Sequence, residues 1–104
     1  MTLTFGFSPC PNDTFMFDAI VNKRIDLQGL AFDFIIDDVE HLNKIAINHQ
    51  PDVTKMSFNA FTKIYDRYQL LTSGAALGNN CGPLLISKIP LEAKGVENLR
   101  IAVP

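Results

Sequence analysis

Two groups of residues in this sequence have the types and spacing to bind a small molecule. The first is the segment SPCPNDT at residues 8–14, which combines a hydroxyl, a thiol, an amide and a carboxylate with two prolines. The second is Lys55, Met56 and Ser57, directly before a helical pattern. The prolines make the first segment a rigid turn. Ser57, the free helix amides after it and the nearby Lys55 make the second segment a candidate anion site.

Each group also has an explanation that needs no ligand. Ser57 can act only as the N-cap of its own helix, because most N-cap serines bind nothing else. Lys55 can be a solvated charge at the end of a strand. In the first segment, Asp13 or Asn12 can cap the helix that follows by accepting from its free amides. The residues alone leave both interpretations open at each group.

The two cysteines and two histidines of the chain do not form a catalytic or metal-binding pattern. Cys10 and Cys81 are too few for a disulfide framework, and their separation matches no metal motif. No base lies near Cys81 in the sequence to activate it, so we expect an inert thiol. His41 and His49 have no zinc-protease carboxylate between them and are expected to face solvent. The residues therefore predict neither a metal site nor a thiol nucleophile.

Composition narrows the class of protein further. The chain has 104 residues, 47% of them hydrophobic, and a net charge of -2, which is typical of one globular domain or part of a larger one. Its basic residues are scattered, so we expect no nucleic-acid partner. No apolar run reaches the roughly 18 to 20 residues of a membrane span, and no signal peptide is recognisable. With free thiols, this predicts a cytoplasmic protein without a membrane contact.

Strand and helix patterns alternate along the chain and predict an α/β fold with a mostly parallel sheet flanked by helices. Helices are predicted at residues 14–21, where the apolar pattern implies burial on more than one face, at 37–48 after a capping box of Asp37 and Glu40, and from Ser57 to Tyr68. Capping also accounts for the acidic residue Asp38. Strands are predicted at residues 2–7, 30–36, 53–57, 69–72, 84–87 and 99–103. The last strand feeds no helix, which predicts a piece of a longer protein.

Six segments resemble the 1,4-dihydroxy-6-naphthoate synthase family, which acts on the futalosine route to menaquinone. The resemblance covers essentially the whole chain, and its most specific part is the first segment. Chorismate dehydratase, from the same pathway, shares the fold but not that segment. The six segments are FSPCPNDTF at 7–15, DVEHLN at 38–43, TKMS at 54–57, DRY at 66–68, SGAALG at 73–78 and RIAVP at 100–104.

This resemblance implies one lobe of a two-lobed fold like that of type II periplasmic binding proteins. Residues 1–88 would form lobe one, residues 89–97 a crossover linker, and residues 98–104 the first strand of lobe two. The implied reaction is a cofactor-independent carbon–carbon cleavage that converts cyclic dehypoxanthinyl futalosine to 1,4-dihydroxy-6-naphthoate. The family's general base is a histidine beyond Pro104, so the chain by itself is expected to be inactive.

The resemblance also assigns site residues. The substrate-binding block of the family matches Lys55, Met56 and Ser57, which favours a substrate carboxylate at Ser57 over capping alone. We expect the rigid turn to form one wall of the cleft. That wall would consist of Ser8, Pro9, Asn12 and Asp13.

Two other outcomes are compatible with the same fold. The chain could belong to a solute-binding or sensing module without chemistry, or to a relative of chorismate dehydratase. An exposed cleft face and an unpaired last strand would also promote self-association.

Overall fold

The computed structural model describes residues 1–82 and 84–102. In chain order the elements are β1 (Thr2–Phe7), α1 (Pro11–Val21), β2 (Ala31–Ile36), α2 (Val39–Ile47), β3 (Val53–Thr54), α3 (Phe58–Phe61) and a 3₁₀ helix (Ala93–Asn98). The three strands form one parallel sheet in the order β2-β1-β3. The predicted α/β alternation and the parallel sheet are therefore confirmed, with β1 in the centre.

One face of the sheet is covered by an aromatic cluster. Because side chains alternate along a strand, Phe5 and Phe7 of β1 point to the same face. There they meet Phe17 of α1, with ring centroids 4.8 and 5.4 Å apart. Phe32 and Phe34 of β2 extend the cluster, each about 6 Å from Phe5. This cluster fixes α1 on the sheet and so places the turn that precedes α1.

The opposite face of the sheet is covered by α2. Leu42 and Ala46 are fully buried and Ile45 nearly so, because residues three and four apart share one face of a helix. Leu42 approaches the sheet at Gly6 of β1. A Cβ atom at Gly6 would lie 2.9 Å from Leu42 and 2.8 Å from the hydroxyl of Thr54. The absence of a side chain at Gly6 therefore allows α2 and β3 to pack closely against β1.

The start of α1 differs from the prediction. The helix begins at Pro11, three residues before the predicted start, and its N-cap is Cys10 rather than Asn12 or Asp13. Proline is well suited to the first helical position, because its missing N–H has no partner there in any case. Burial on more than one face was also predicted, yet Phe15 is 87% exposed. The sheet covers only the face of α1 that carries Phe17.

The capping box predicted for α2 is also wrong by one residue. Asp38 is the N-cap and accepts from the amide of His41 at 2.9 Å. The carboxylate of Asp37 instead accepts from the amide of Asp38 at 2.7 Å. Glu40 does not reach back to the cap but pairs with Lys44 at 2.7 Å. His41 and His49 are both exposed, as predicted.

Most of the secondary structure predicted after residue 57 is not observed. Ser57 caps α3 as predicted, but that helix has only four residues, and Phe58 and Tyr65 are exposed whereas Ile64 is buried. Residues 69–72, 84–87 and 99–102 are not strands. Val103, the end of the last predicted strand, lies outside the described residues. An extended run becomes a strand only when another strand shares its backbone hydrogen bonds, and among the described residues these runs have no such neighbour.

Candidate functional site

A cleft of about 310 Å³ opens at the edge of the sheet where β1 and β3 end. The strand order reverses at β1, because the chain passes from β1 to β2 on one side and returns to β3 on the other. A crevice at such a reversal is where parallel α/β sheets bind ligands. The lining residues come from the turn after β1, the first turn of α1, α2, the segment after β3 and one distant segment: Ser8, Cys10, Asn12, Asp13, Val39, Leu42, Lys55, Met56 and Ala76.

Asp13 is the centre of the polar network in this cleft. It is only 4% exposed, and one carboxylate oxygen accepts from both the amide and the hydroxyl of Ser8, at 3.0 and 2.9 Å. Its other oxygen lies 3.3 Å from the ammonium nitrogen of Lys55. A buried carboxylate needs such partners, because desolvation of an unpaired charge is costly. Asp13 therefore ties the turn after β1 to the end of β3.

Lys55 is held from two sides. Besides its ion pair with Asp13, its ammonium group donates to the carbonyl oxygen of Gly74 at 3.1 Å. Gly74 has φ +82, a conformation that glycine adopts readily, and it lies against the ring of Phe17. An ammonium group has three donors, so these two contacts leave one for a ligand. The side chain of Lys55 is 22% exposed, toward the cleft that it lines.

Cys10 is the N-cap of α1 and lines the cleft. Its sulfur accepts from the amide of Asp13 at 3.5 Å, which satisfies one of the free N–H groups of the helix. Hydrogen bonding by the Ser8 side chain, and then by the amide of Asp13, lowers the pKa of the Cys10 thiol. The described residues place no imidazole in the cleft lining, so this thiol has no evident base there.

Ser57 lies beside the cleft and is occupied by protein contacts. Its hydroxyl accepts from the amide of Ala60 at 3.1 Å and from the side-chain amide of Asn43 at 3.4 Å. Its own backbone amide donates to the side-chain oxygen Oδ1 of Asn43 at 3.0 Å. Asn43 therefore holds the end of the Lys55–Ser57 segment against α2. This role of Asn43 was not predicted from the sequence.

The structure thus brings together most of the predicted site residues. Lys55, Met56, Ser8, Asn12 and Asp13 all line one cleft, whereas Pro9 and Ser57 do not belong to its lining. The contribution of the segment at residues 73–76, through Gly74 and Ala76, was not predicted. Only the fold shows that this segment approaches Lys55.

Two further properties concern the described ranges 1–82 and 84–102 as a whole. No three side chains of the His, Cys, Asp and Glu types come together there as a metal site would require. No helix in the same ranges is long and apolar enough to cross a bilayer.

Sequence comparison relates nearly all of the chain to known proteins. The model of a family described as "Menaquinone biosynthesis" matches residues 3–104. A 1,4-dihydroxy-6-naphthoate synthase of Thermus thermophilus is 45% identical over 102 residues, which is 98% of this chain and 36% of that protein. A protein of the same name from Streptomyces coelicolor is 39% identical over 87 residues, 84% of this chain and 30% of that protein. The chain thus spans about a third of the length of these relatives.

Structural comparison agrees with this relationship. A crystal structure of a protein from Archaeoglobus fulgidus superposes with a TM-score of 0.73 and 32% sequence identity. The superposition covers 78% of this chain and 30% of that protein. The fold described above therefore recurs as one part of a considerably longer chain.

Proposed function

Because the chain belongs to the menaquinone-biosynthesis family, we propose that it is the substrate-binding first part of a 1,4-dihydroxy-6-naphthoate synthase. The names of the two curated relatives support this proposal. The full-length protein would be a cofactor-independent carbon–carbon lyase of the futalosine pathway. Its substrate would be cyclic dehypoxanthinyl futalosine and its product 1,4-dihydroxy-6-naphthoate.

The observation that carries this proposal is the convergence of two predicted segments in one cleft. Residues 8–13 and residues 55–56 are far apart in sequence, yet both line the crevice at the carboxyl edge of the sheet. That edge is where parallel sheets bind their ligands. A cleft of about 310 Å³ that combines apolar walls with a few polar groups suits a small organic molecule.

Each lining residue has a role that follows from its contacts. Lys55 would donate its remaining N–H to a substrate oxygen, and Met56 would supply apolar contact. Ser57, held by Asn43, would orient this block, with the substrate carboxylate bound at its end. Ser8, Asn12 and Asp13 would form the opposite wall. The general base that breaks the carbon–carbon bond would come from the remainder of the full-length protein.

We also propose the division of the chain into lobes. Residues 1–88 would form lobe one of a fold like that of type II periplasmic binding proteins, followed by a linker at residues 89–97. The 3₁₀ helix Ala93–Asn98 lies largely within this linker. Residues 98–104 would become the first strand of lobe two only beside further strands. Residues 99–102 are irregular here, and Val103 and Pro104 lie outside the described residues.

The test is the substitution Lys55→Met in a full-length protein that begins with these residues. Loss of a hydrogen bond from a charged donor costs about 1.5–3 kcal/mol, so kcat/KM should fall about 10- to 100-fold. Lys63→Met is the matched control, because Lys63 is exposed and lies outside the cleft lining. Equal kinetics of the two variants would contradict the assignment.

The same experiment separates the enzyme from a solute-binding module. A binding module would retain the substrate without forming naphthoate, whereas the full-length enzyme would release product. The 104-residue chain alone should form no naphthoate, and its formation would refute the proposed dependence on a second lobe. A cytoplasmic location, the lack of a cofactor and self-association of this chain stay predictions.

A further inference from the structure

The cleft contains two charges of opposite sign that lie close together. Among the lining residues, Asp13 and Lys55 are the charged ones, and their side chains lie 3.3 Å apart. The carboxylate is almost fully buried and the ammonium group is mostly buried, with side-chain exposures of 5% and 22%. At this distance and burial the two charges largely cancel as seen by a ligand. The cleft is therefore polar but close to neutral.

The same contacts restrict the direction of Lys55. A lysine side chain is flexible and its ammonium group can turn toward any acceptor. Here Asp13 and the carbonyl of Gly74 occupy two of its donors. Asp13 itself cannot move easily, because it accepts twice from Ser8. The remaining donor of Lys55 thus points in one direction that Asp13 defines.

We propose that Asp13 is a positioning and specificity-determining residue: by neutralising and orienting Lys55, it makes the cleft prefer an uncharged substrate oxygen at Lys55 over a free anion. This inference rests on the proposed function of Lys55 in substrate binding. The oxygen would be a hydroxyl or carbonyl, and any carboxylate of the substrate would bind elsewhere, away from Lys55. Asp13 acts through Lys55 and does not itself take part in the reaction.

The decisive variant is Asp13→Asn in the full-length protein, with acetate as the anion probe. The amide keeps the size of the side chain and can still accept from Ser8, but Lys55 loses its counter-charge. Acetate should then bind about 10-fold more tightly, while kcat/KM for the substrate falls about 10-fold. Opposite changes in these two quantities distinguish positioning from a loss of structure, which would weaken both.

Asp18→Asn is the matched control. Asp18 lies on the same helix and forms an ion pair with Arg24 at 2.7 Å, but it is outside the cleft lining. Acetate affinity and kinetics should stay within about 2-fold of the wild type. Asp13→Glu restores the negative charge and should return acetate affinity toward the wild-type value. Unchanged acetate affinity in folded Asp13→Asn would overturn the proposal.

A double variant covers the case in which Asp13→Asn does not fold. Asp13→Asn with Lys55→Met removes both charges and leaves none of the pair buried alone, so it should fold and bind acetate weakly. If neither variant folds, Asp13 serves the turn and not Lys55, and the proposal fails. Acetate affinity is measured by titration without turnover. A wild type that forms no naphthoate would therefore refute the proposed function while this comparison still decides the role of Asp13.

Discussion

Residues 1–68 and residues 69–102 are both rich in apolar side chains, but in the part of the chain that the structure describes only the first region buries them. In the first region the aromatic cluster and the α2 stripe cover the two faces of a parallel sheet. In the second region, as far as the structure describes it, the large aliphatic side chains are mostly exposed. More than half of the residue surface is accessible at Leu70, Leu71, Leu77, Leu84, Leu85, Ile86, Ile89 and Ile101.

The difference shows that a sequence rich in apolar residues does not by itself form a packed layer of helices or strands. Each strand of the first region pairs with another, and α1 and α2 each have a face of the sheet to cover. In the described part of the second region the apolar runs have neither a partner strand nor a sheet face, and the chain as a whole is accordingly extended. Its Cα radius of gyration is 17.6 Å, against about 13 Å for a compact domain of this length. The two regions meet at the cleft, where Gly74 accepts from Lys55.

The largest expected effect on stability comes from removing one apolar side chain from each region and comparing the two variants. Phe5→Ala deletes a buried ring from the aromatic cluster and should lower the free energy of unfolding by about 3–5 kcal/mol. Leu77→Ala, at a side chain that is 89% exposed, should change it by less than about 0.5 kcal/mol. Urea unfolding of the two variants measures both values. Similar losses would show that the second region has a core of its own.

Glycine substitutions compare the stability of the same two regions, with a smaller expected effect. Gly6→Ala would place a methyl group against Leu42 and Thr54 and should destabilise the chain by about 1–3 kcal/mol. Gly82→Ala in the second region meets open space and is the matched control. The same urea titration applies. A neutral Gly6→Ala would mean that α2 does not approach β1 as closely as described.

The smallest expected effect concerns pH. The backbone amide and the hydroxyl of Thr4 both donate to Asp52 at 2.8 Å, and they lower the pKa of that carboxyl. A depressed pKa in the folded state means that Asp52 contributes stability above its unfolded pKa of about 3.9. The contribution is lost as the pH falls through the folded pKa. The stability difference between wild type and Asp52→Asn should therefore shrink below about pH 4; a difference independent of pH would exclude this origin.

Much of the first region could be predicted from local patterns. The alternation of Phe5 and Phe7 predicts a strand face, and the spacing of Leu42 and Ile45 predicts a helix stripe, because both periods follow from backbone geometry alone. The exact helix starts could not be predicted in this way. Several neighbouring side chains near each helix start are able to cap it, so the sequence does not single one out. In the structure Cys10 caps α1 and Asp38 caps α2.

Local patterns in the sequence account for the order of strands and helices in the first region, and the sequence also points to the two segments that line the cleft. The pairing of Asp13 with Ser8 and Lys55, in place of capping its own helix, depends on the fold. A capping interaction is local, whereas an ion pair between distant segments requires the fold to bring them together. For the same reason the apolar runs after residue 68 did not become strands: a strand depends on a neighbour that no local pattern contains.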